Sequence, residues 1–378
     1  MVLNKKNVII LLVDGGRVDR VKKSLFFNDL KKSAVFFPNS ITYAPHTIAA
    51  MHAVFSGSYG IRTGTNSYWS TYKFKKDKFK TFTEYLKHEG YYTCADIVNP
   101  LVIPSQGFDE FLIHDEQKDD LIKRHIELLQ KMKEKYQNGN NFFLYLQYSK
   151  IHTRIMNEVL KVYNNFSKEY FENRELNEKR YDELFNEAEG YMQTIMGEIV
   201  NLGFDTNSFI LIMSDHGISV GEKIGERAYG AFCYDYTLKT FAYFIYPEVK
   251  PIEIKQQIRT IDFLPTILDY LKIALDQQFE PLDGESLMPL IEGKLIEEKP
   301  AYSETGNPLN SNKPPEHPNT KSIRTSKWKL IYNEYNDTKE LYDLENDPSE
   351  ENNLIGQGLE IEDHLWKKLL SISKKNQI

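Results

Sequence analysis

Four side chains in this sequence are of types that can hold a metal ion and attack an ester, and each lies beside a predicted turn. Asp14 directly follows one apolar run, and Asp215 and His216 directly follow another. Thr47 lies where a helix is predicted to begin. Carboxylate and imidazole groups bind divalent metals, and a hydroxyl activated by a metal is a nucleophile. The four residues therefore indicate metal-assisted cleavage of an ester.

The stretch APHTIAAMHAVFSGSYGIRTG, residues 44–64, places Thr47 in the first turn of a predicted helix that ends at Gly57. Pro45 prevents this helix from starting earlier. A helix N-terminus carries unpaired N–H groups and a partial positive charge, which favour an anion such as phosphate or sulfate. Thr47 is therefore a candidate nucleophile. The alternative is that its hydroxyl only caps the helix.

Asp14 and the pair Asp215-His216 follow strands predicted at residues 8–13 and 209–213. Continuous apolar runs are typical of parallel strands buried on both faces, and ligands bind beyond the carboxyl ends of such strands. We therefore expect these three side chains at one edge of a sheet, as ligands of a metal ion. The alternative for Asp14 is a plain turn, because Asp-Gly is a common turn pair.

Composition narrows the class of protein. The 378 residues suffice for one large α/β domain with an appendage or for two domains. A net charge of -7 argues against a general nucleic-acid binder. The two cysteines form no disulfide framework, and no stretch reaches the ~20 apolar residues of a membrane span. We expect a cytoplasmic protein with no integral membrane segment, which leaves attachment to a membrane surface open.

The remaining pattern predicts alternating strands and helices. Further strands are predicted at residues 91–98, 142–146 and 241–247, with an edge piece at 107–111. Helices are predicted at residues 81–88, 118–136, 157–201 (interrupted within 173–177), 260–271 and 362–374. Near the C-terminus, hairpin strands are predicted at residues 322–332 and 339–344, followed by a solvated connection at 345–353.

Several motifs, in this order, resemble the sulfatase branch of the alkaline phosphatase superfamily. They are VIILLVDGGR, APHTIAAMHAVFSGSYGIRTG, GYYTCADIVNP with GFDEF, ILIMSDHGISVGE, YDYTLKTFAYFIYP, TIDFLPTILDYL, LDGESLMPLIEG and SKWKLIYNEYNDTKELYDLENDPSEENNL. The resemblance implies a mixed, mostly parallel sheet between helices, with a small C-terminal antiparallel sheet and a helix. It places a catalytic α/β domain at residues 1–300 and a C-terminal subdomain at residues 301–378.

The resemblance also implies a metal centre. Asp14, Thr47, Asp215 and His216 occupy ligand positions, and Thr47 also occupies the nucleophile position. Gly15 stands where a sulfatase has a second acid, which disfavours a calcium site made only of oxygen ligands. One divalent ion is expected, with manganese or zinc favoured and calcium or magnesium as alternatives. A second metal ion is left open.

The nucleophile segment departs from the sulfatase pattern. Family sulfatases carry C-x-P-S-R, whose first residue is modified to formylglycine, whereas this chain has Thr47-Ile48-Ala49-Ala50-Met51. Threonine at this position is similar to the nucleotide pyrophosphatase/phosphodiesterases and to the phosphoglycerol and phosphoethanolamine transferases of the superfamily. This resemblance implies hydrolysis of phosphate mono- or diesters through a covalent phosphothreonine, with sulfate esters as a further option.

Two other functions remain open at the level of sequence. One is a transferase that adds a phospho-group to a cell-surface glycan or lipid precursor, although such transferases usually carry membrane helices. The other is a non-catalytic binding protein on the same scaffold, against which the intact set of four site residues argues. The expected substrate is a small-molecule or glycan phosphoester or sulfoester. The oligomeric state is not predicted.

Four further residues are candidates for supporting roles in the proposed reaction. His152 or His46 would protonate the leaving oxygen, because an unperturbed histidine titrates near neutral pH. Arg17 or Arg227 would stabilise the charge that develops on the transferred group. The alternatives are that the arginines form ordinary ion pairs and that His46 only shapes the turn before Thr47.

Overall fold

A large sheet forms the centre of the protein, and a smaller sheet lies beside it. The structure is a computed structural model that describes residues 5–67, 73–155, 168–226, 228–307 and 315–375. The strands are β1 Asn7–Val13, β2 Val35–Ile41, β3 Tyr92–Ile97, β4 Glu110–Ile113, β5 Phe142–Tyr148, β6 Ser208–Met213, β7 Lys239–Ile245, β8 Ile252–Glu253, β9 Ile258–Arg259, β10 Ala301–Thr305, β11 Thr320–Arg324, β12 Trp328–Asn333 and β13 Thr338–Asp343.

The helices cover both faces of the large sheet and one face of the small sheet. They are α1 Val18–Val21, α2 Leu25–Leu30, α3 Thr47–Ser56, α4 Gly60–Thr63, α5 Phe82–His88, α6 Leu121–Gln137, α7 Lys150–Arg154, α8 Lys168–Glu172, α9 Arg174–Asn201, α10 Asp235–Leu238, α11 Phe263–Leu271, α12 Met288–Ile291 and α13 Glu360–Lys375. None of the helices in the described part of the chain combines the length and the apolar character needed to cross a bilayer.

The strand order of the large sheet confirms the predicted mixed architecture. The order is β4-β3-β5-β1-β6-β7-β2-β8, with β9 also paired to β2. Pairing is parallel from β4 through to β6, whereas β7 runs antiparallel to both β6 and β2. The carboxyl ends of β1, β5 and β6 therefore meet at one edge of the sheet, where the predicted metal ligands follow the strands.

The buried strand β1 feeds two hydrophobic cores, one on each face of the sheet. Ile9 and Leu11 pack in one core with residues of α2, α6 and α9. Val8 and Ile10 pack in the other with residues of α3, α5 and α11. Alternation of side chains along a strand explains this division. Burial on both faces also explains why residues 8–13 of β1 are all apolar, as the sequence predicted.

The second sheet is antiparallel, with the order β10-β11-β12-β13, and α13 packs against it. The prediction of a single strand over residues 322–332 is wrong, because β11 and β12 are separate strands that pair with each other. Their connection contains no glycine or proline that would have marked a turn. The turn is closed instead by Trp328 N, which donates to Thr325 Oγ1 at 3.0 Å.

Four strands were not predicted: β2, β10 and the two-residue strands β8 and β9. In β2, Pro38 interrupts the apolar pattern, and the pairing of β2 with β7 shifts register between Phe37 and Ser40. In β10 the sequence AYSET is too polar to indicate a buried strand, although all five residues are buried. The long helical segment behaves as predicted where it is described: α8 and α9 are separated at Asn173, and residues 156–167 lie outside the described part.

Candidate active site

Three ends of secondary structure bring the four predicted residues together. Asp14 follows β1, and Asp215 and His216 follow β6, its parallel neighbour. Thr47 is the first residue of α3, whose N-terminus lies at the same edge of the sheet. All four side chains are buried. We refer to Asp14, Thr47, Asp215 and His216 as the carboxylate cluster.

The hydroxyl of Thr47 lies among the other members of the cluster. Thr47 Oγ1 is 3.4 Å from both carboxylate oxygens of Asp14 and 3.3 Å from His216 Nε2. His46, not Thr47, occupies the N-cap position of α3 and makes no side-chain cap. The capping alternative for Thr47 is therefore not what the structure shows. Its hydroxyl faces charged and metal-binding groups at the start of a helix.

The tautomer of His216 suits it to bind a cation. His216 Nδ1 lies 2.8 Å from the carbonyl oxygen of Gly217, so it carries the proton and donates to that carbonyl. Nε2 then keeps its free lone pair and faces Thr47 and Asp14. A metal-binding histidine commonly donates its other N–H to a backbone carbonyl in this way.

The two carboxylates of the cluster repel each other. Gly15 N and His216 N donate to Asp215 Oδ1 at 3.1 and 2.9 Å. Asp215 Oδ2 is buried and accepts no hydrogen bond from any described residue. Burial, and then the negative charge of Asp14, raise the pKa of Asp215 above its usual value. A divalent cation fits this arrangement, since it would neutralise both carboxylates and bind the free oxygen.

His152 joins the cluster from the turn after β5. Its Nδ1 lies 3.3 Å from Asp14 Oδ1, and the Tyr229 hydroxyl lies 2.8 Å from its Nε2. Burial would lower the pKa of His152, but the charge and the hydrogen bond of Asp14 raise it above the usual value. Ligand atoms of Asp14, His152 and His216 all lie within 4.8 Å of one another. His152, predicted only as a proton donor, is thus also placed to bind a metal.

The other predicted residues do not join the cluster in the predicted way. Burial, and then the nearby His216, lower the pKa of His46 to about 3, so its imidazole is neutral and poorly suited to donate a proton. The Arg17 guanidinium is bound by Glu222 at 2.5 Å and by Asp19 at 2.9 Å. These contacts match the alternative that the sequence left open, in which Arg17 forms ordinary ion pairs. Arg227 lies outside the described residues.

Two side chains at the site, Gln147 and Glu116, were missed by sequence reasoning. Gln147 Nε2 donates to Asp14 Oδ2 at 2.7 Å, and its only signal was a polar residue near the end of an apolar strand. Tyr229 also lies at the site, where its ring packs against those of His152 and His216. Burial, and then the charge of Asp14, raise the pKa of Glu116 to about 7.

Comparison with known proteins gives a family and a fold. The profile of the family described as Sulfatase matches residues 6–273. The profile described as N-sulphoglucosamine sulphohydrolase, C-terminal, matches residues 228–375. No curated protein matches this chain.

Solved structures share the fold over nearly the whole chain at low sequence identity. A 2-O glycosaminoglycan sulfatase superposes with a TM-score of 0.77 at 16% identity, covering 98% of this chain and 93% of its own. A protein in complex with its substrate D-glucosamine-2-N,6-O-disulfate gives 0.74 at 16%, covering 99% and 98%. The phosphonate monoester hydrolase of Silicibacter pomeroyi gives 0.73 at 15%, covering 99% and 96%.

Proposed function

Because the chain belongs to the sulfatase family of the alkaline phosphatase superfamily, we propose that it is a metal-dependent hydrolase of phosphate mono- or diesters with Thr47 as its nucleophile. Enzymes of this family are hydrolases, and metal dependence is a family property. What we add for this chain is the nature of the nucleophile and of the ester. One divalent ion, manganese or zinc, is part of the proposal.

One observation carries this proposal: a threonine hydroxyl, not a cysteine or serine, occupies the centre of the cluster. Thr47 Oγ1 lies within 3.4 Å of Asp14 and His216. Threonine has no route to the aldehyde that formylglycine-dependent sulfate hydrolysis uses. An unmodified hydroxyl attacking phosphorus needs no such aldehyde, which favours a phosphate ester over a sulfate ester.

The residues of the cluster divide the work of the reaction. Asp14, Asp215 and His216 would hold the divalent ion, which would supply Lewis acidity for the hydroxyl and for a phosphoryl oxygen, and His152 serves as the proton donor. Thr47 Oγ1 releases its proton to solvent and bonds to phosphorus as the ester P–O bond breaks, and the departing oxygen takes a proton from His152. Water then attacks phosphorus and passes a proton to His152, while the bond between phosphorus and Thr47 breaks. The phosphate leaves, and Thr47 Oγ1 takes up a proton from solvent.

Sulfate ester hydrolysis is the second candidate, and the comparisons support it. The matched C-terminal profile is that of a sulphohydrolase, and two of the similar structures are a sulfatase and a protein bound to a sulfated glucosamine. A glycan ester is the natural substrate class under either candidate. Comparing the hydrolysis of phosphate and sulfate esters separates the two candidate functions.

The test is hydrolysis of nitrophenyl phosphate, bis-nitrophenyl phosphate and nitrophenyl sulfate with Mn²⁺ or Zn²⁺ added. We expect phosphate ester turnover by the wild type and a loss on the order of 10³-fold or more in Thr47→Ala. Thr83→Ala is the matched control, because Thr83 is buried in α5 and its hydroxyl contacts no described partner. Sulfate turnover that survives Thr47→Ala would contradict the proposal.

A further inference from the structure

A second group of buried polar side chains lies outside the carboxylate cluster. Asp96 is in β3, His114 follows β4, and His125 is in α6. These three side chains and that of Ser149, the residue after β5, are all buried. The proposed reaction uses none of them. Buried polar groups of this kind are retained when their hydrogen bonds are satisfied, so the bonding pattern shows what they do.

The hydrogen bonds are donated in one direction, from Ser149 to His114 and from His114 to Asp96. His114 Nδ1 lies 2.6 Å from Asp96 Oδ1, and since a carboxylate only accepts, Nδ1 carries the proton. His114 Nε2 then accepts the hydroxyl proton of Ser149 at 3.0 Å. This order of serine, histidine and aspartate matches a hydrolase triad. Ser149 is fully buried, however, so no substrate reaches its hydroxyl.

At the Asp96 end of this hydrogen-bond chain, charged and polar neighbours fix the carboxylate. Burial alone would raise the pKa of Asp96, but the hydrogen bond from His114, the nearby His125 and the hydrogen bond from Arg124 lower it below its usual value. Arg124 binds Asp96 Oδ2, and His114 binds Oδ1. With both carboxylate oxygens occupied, the group is better suited to anchor a hydrogen-bond chain than to bind a metal ion.

At its other end, the hydrogen-bond chain reaches Ser149, which determines the position of the turn that carries His152. Ser149 immediately precedes α7, and its carbonyl accepts the N–H of Thr153 at 3.1 Å. His152 lies in the same turn, with Nδ1 3.3 Å from Asp14 Oδ1. A shift of Ser149 therefore displaces His152 from the site. Displacements of about 1 Å in such groups cost up to roughly 10²-fold in rate.

We propose that Asp96, His114 and Ser149 are positioning residues that hold His152 against the carboxylate cluster. The effect on turnover rests on the proposed function, whereas the effect on the location of His152 does not. The chain of hydrogen bonds fixes the start of α7 from a charged anchor on β3. The side chain of His152 therefore faces Asp14, although Asp96, the anchor, does not contact it directly.

The test uses the full-length protein labelled with ¹⁵N-histidine, read by NMR, together with kinetics on nitrophenyl phosphate. Ser149→Ala and His114→Gln should both shift the ring resonances of His152. Both should lower kcat about tenfold at unchanged KM. The matched control is Tyr191→Phe, which removes the hydrogen bond between Tyr191 and His125 at the other end of the same group. It should lower stability without moving His152 or kcat.

The other possible outcomes also decide for or against the positioning proposal. If neither variant moves the His152 resonances, or if Tyr191→Phe moves them equally, the proposal is wrong. It is also wrong if only Ser149→Ala acts, because the effect then runs through Glu116, which also hydrogen bonds with Ser149. A metal ion lost on mutating His125 would make the group a metal site instead. If the wild type hydrolyses no ester while both variants shift His152, the proposed function fails and the positioning proposal stands.

Discussion

Two clusters of buried charged side chains differ in how their charges are balanced. The first is the carboxylate cluster at the edge of the large sheet. The second, which we call the ion-pair cluster, lies between the two sheets and consists of Asp235, Arg324, Lys329 and Glu350. Both are deeply buried. Only the second contains lysine and arginine side chains.

The ion-pair cluster is neutralised internally. Lys329 Nζ lies 2.9 Å from Asp235 and 2.8 Å from Glu350, and Arg324 Nη2 lies 2.8 Å from Asp235. Burial would raise the pKa of Asp235, but Arg324 and Lys329 hold it well below its usual value. Two anions thus face two cations, as expected for a cluster whose role is to join parts of the fold.

The carboxylate cluster has no such balance. Within the described ranges, no lysine or arginine lies within ion-pair distance of Asp14 or Asp215, and only the histidines His152 and His216 do. Leaving two buried carboxylates without a cation is costly. The comparison indicates that one cluster is complete as folded, whereas the other is completed by an ion from solution.

Breaking the ion-pair cluster should have the largest effect on stability. Lys329→Met leaves Asp235 and Glu350 buried without their shared cation, and should cost about 3–5 kcal/mol of unfolding free energy in urea titrations. The control is Lys327→Met, which removes an exposed pair with Glu345 and should leave the unfolding free energy nearly unchanged. Equal losses of unfolding free energy in the two variants would contradict the claim that the buried ion-pair cluster stabilises the fold more than an exposed pair does.

The buried carboxyl of Glu226 should give the next largest effect, which is on the pH dependence of stability. Burial raises its pKa to about 8 in the folded protein, although two backbone N–H groups and Tyr236 donate to it. The folded state keeps a proton that the unfolded chain loses near pH ~4. Stability should therefore fall as pH rises from about 4 to about 8.

Glu226→Gln should remove this part of the pH dependence. Between pH 6 and pH 8, the wild type should lose about 2 kcal/mol of unfolding free energy relative to the variant. Urea titrations at both pH values measure the difference. Parallel pH profiles for the two proteins would show that the carboxyl is ionised in the fold.

Matched substitutions in the two clusters should change the unfolding free energy of the metal-free protein in opposite directions. Asp215→Asn removes repulsion with Asp14 and should raise the unfolding free energy by on the order of 1 kcal/mol. Asp235→Asn removes attraction to Arg324 and Lys329 and should lower it. Thermal melts in chelator compare the two, and destabilisation by Asp215→Asn would show that its charge is already balanced.

The sequence predicted elements whose signal is local. Long apolar runs marked β1, β5 and β6, and Gly57 marked the end of α3. Because parallel strands end at one edge, it also followed that Asp14 and Asp215 would meet. Turn chemistry supplied by side chains, as at Thr325, left no signal and led to a wrong strand boundary.

Features that depend on distant partners were not predicted. The acidic run at residues 345–353 was interpreted as a solvated connection, yet Glu350 is buried because Lys329 pairs with it from the neighbouring sheet. Gln147 is a site residue only because β5 lies beside β1, which brings its amide to Asp14. The predicted domain division at residue 300 and the cytoplasmic location remain predictions.

Calorimetric titration of metal-free protein with Mn²⁺ tests the central claim most directly. The account predicts one ion per wild-type chain, unchanged stoichiometry in Lys329→Met, and binding weakened by at least about 100-fold in Asp215→Asn. A wild type that binds no Mn²⁺, or an Asp215→Asn variant that binds it as tightly as the wild type, would contradict the claim that a cation from solution completes the carboxylate cluster.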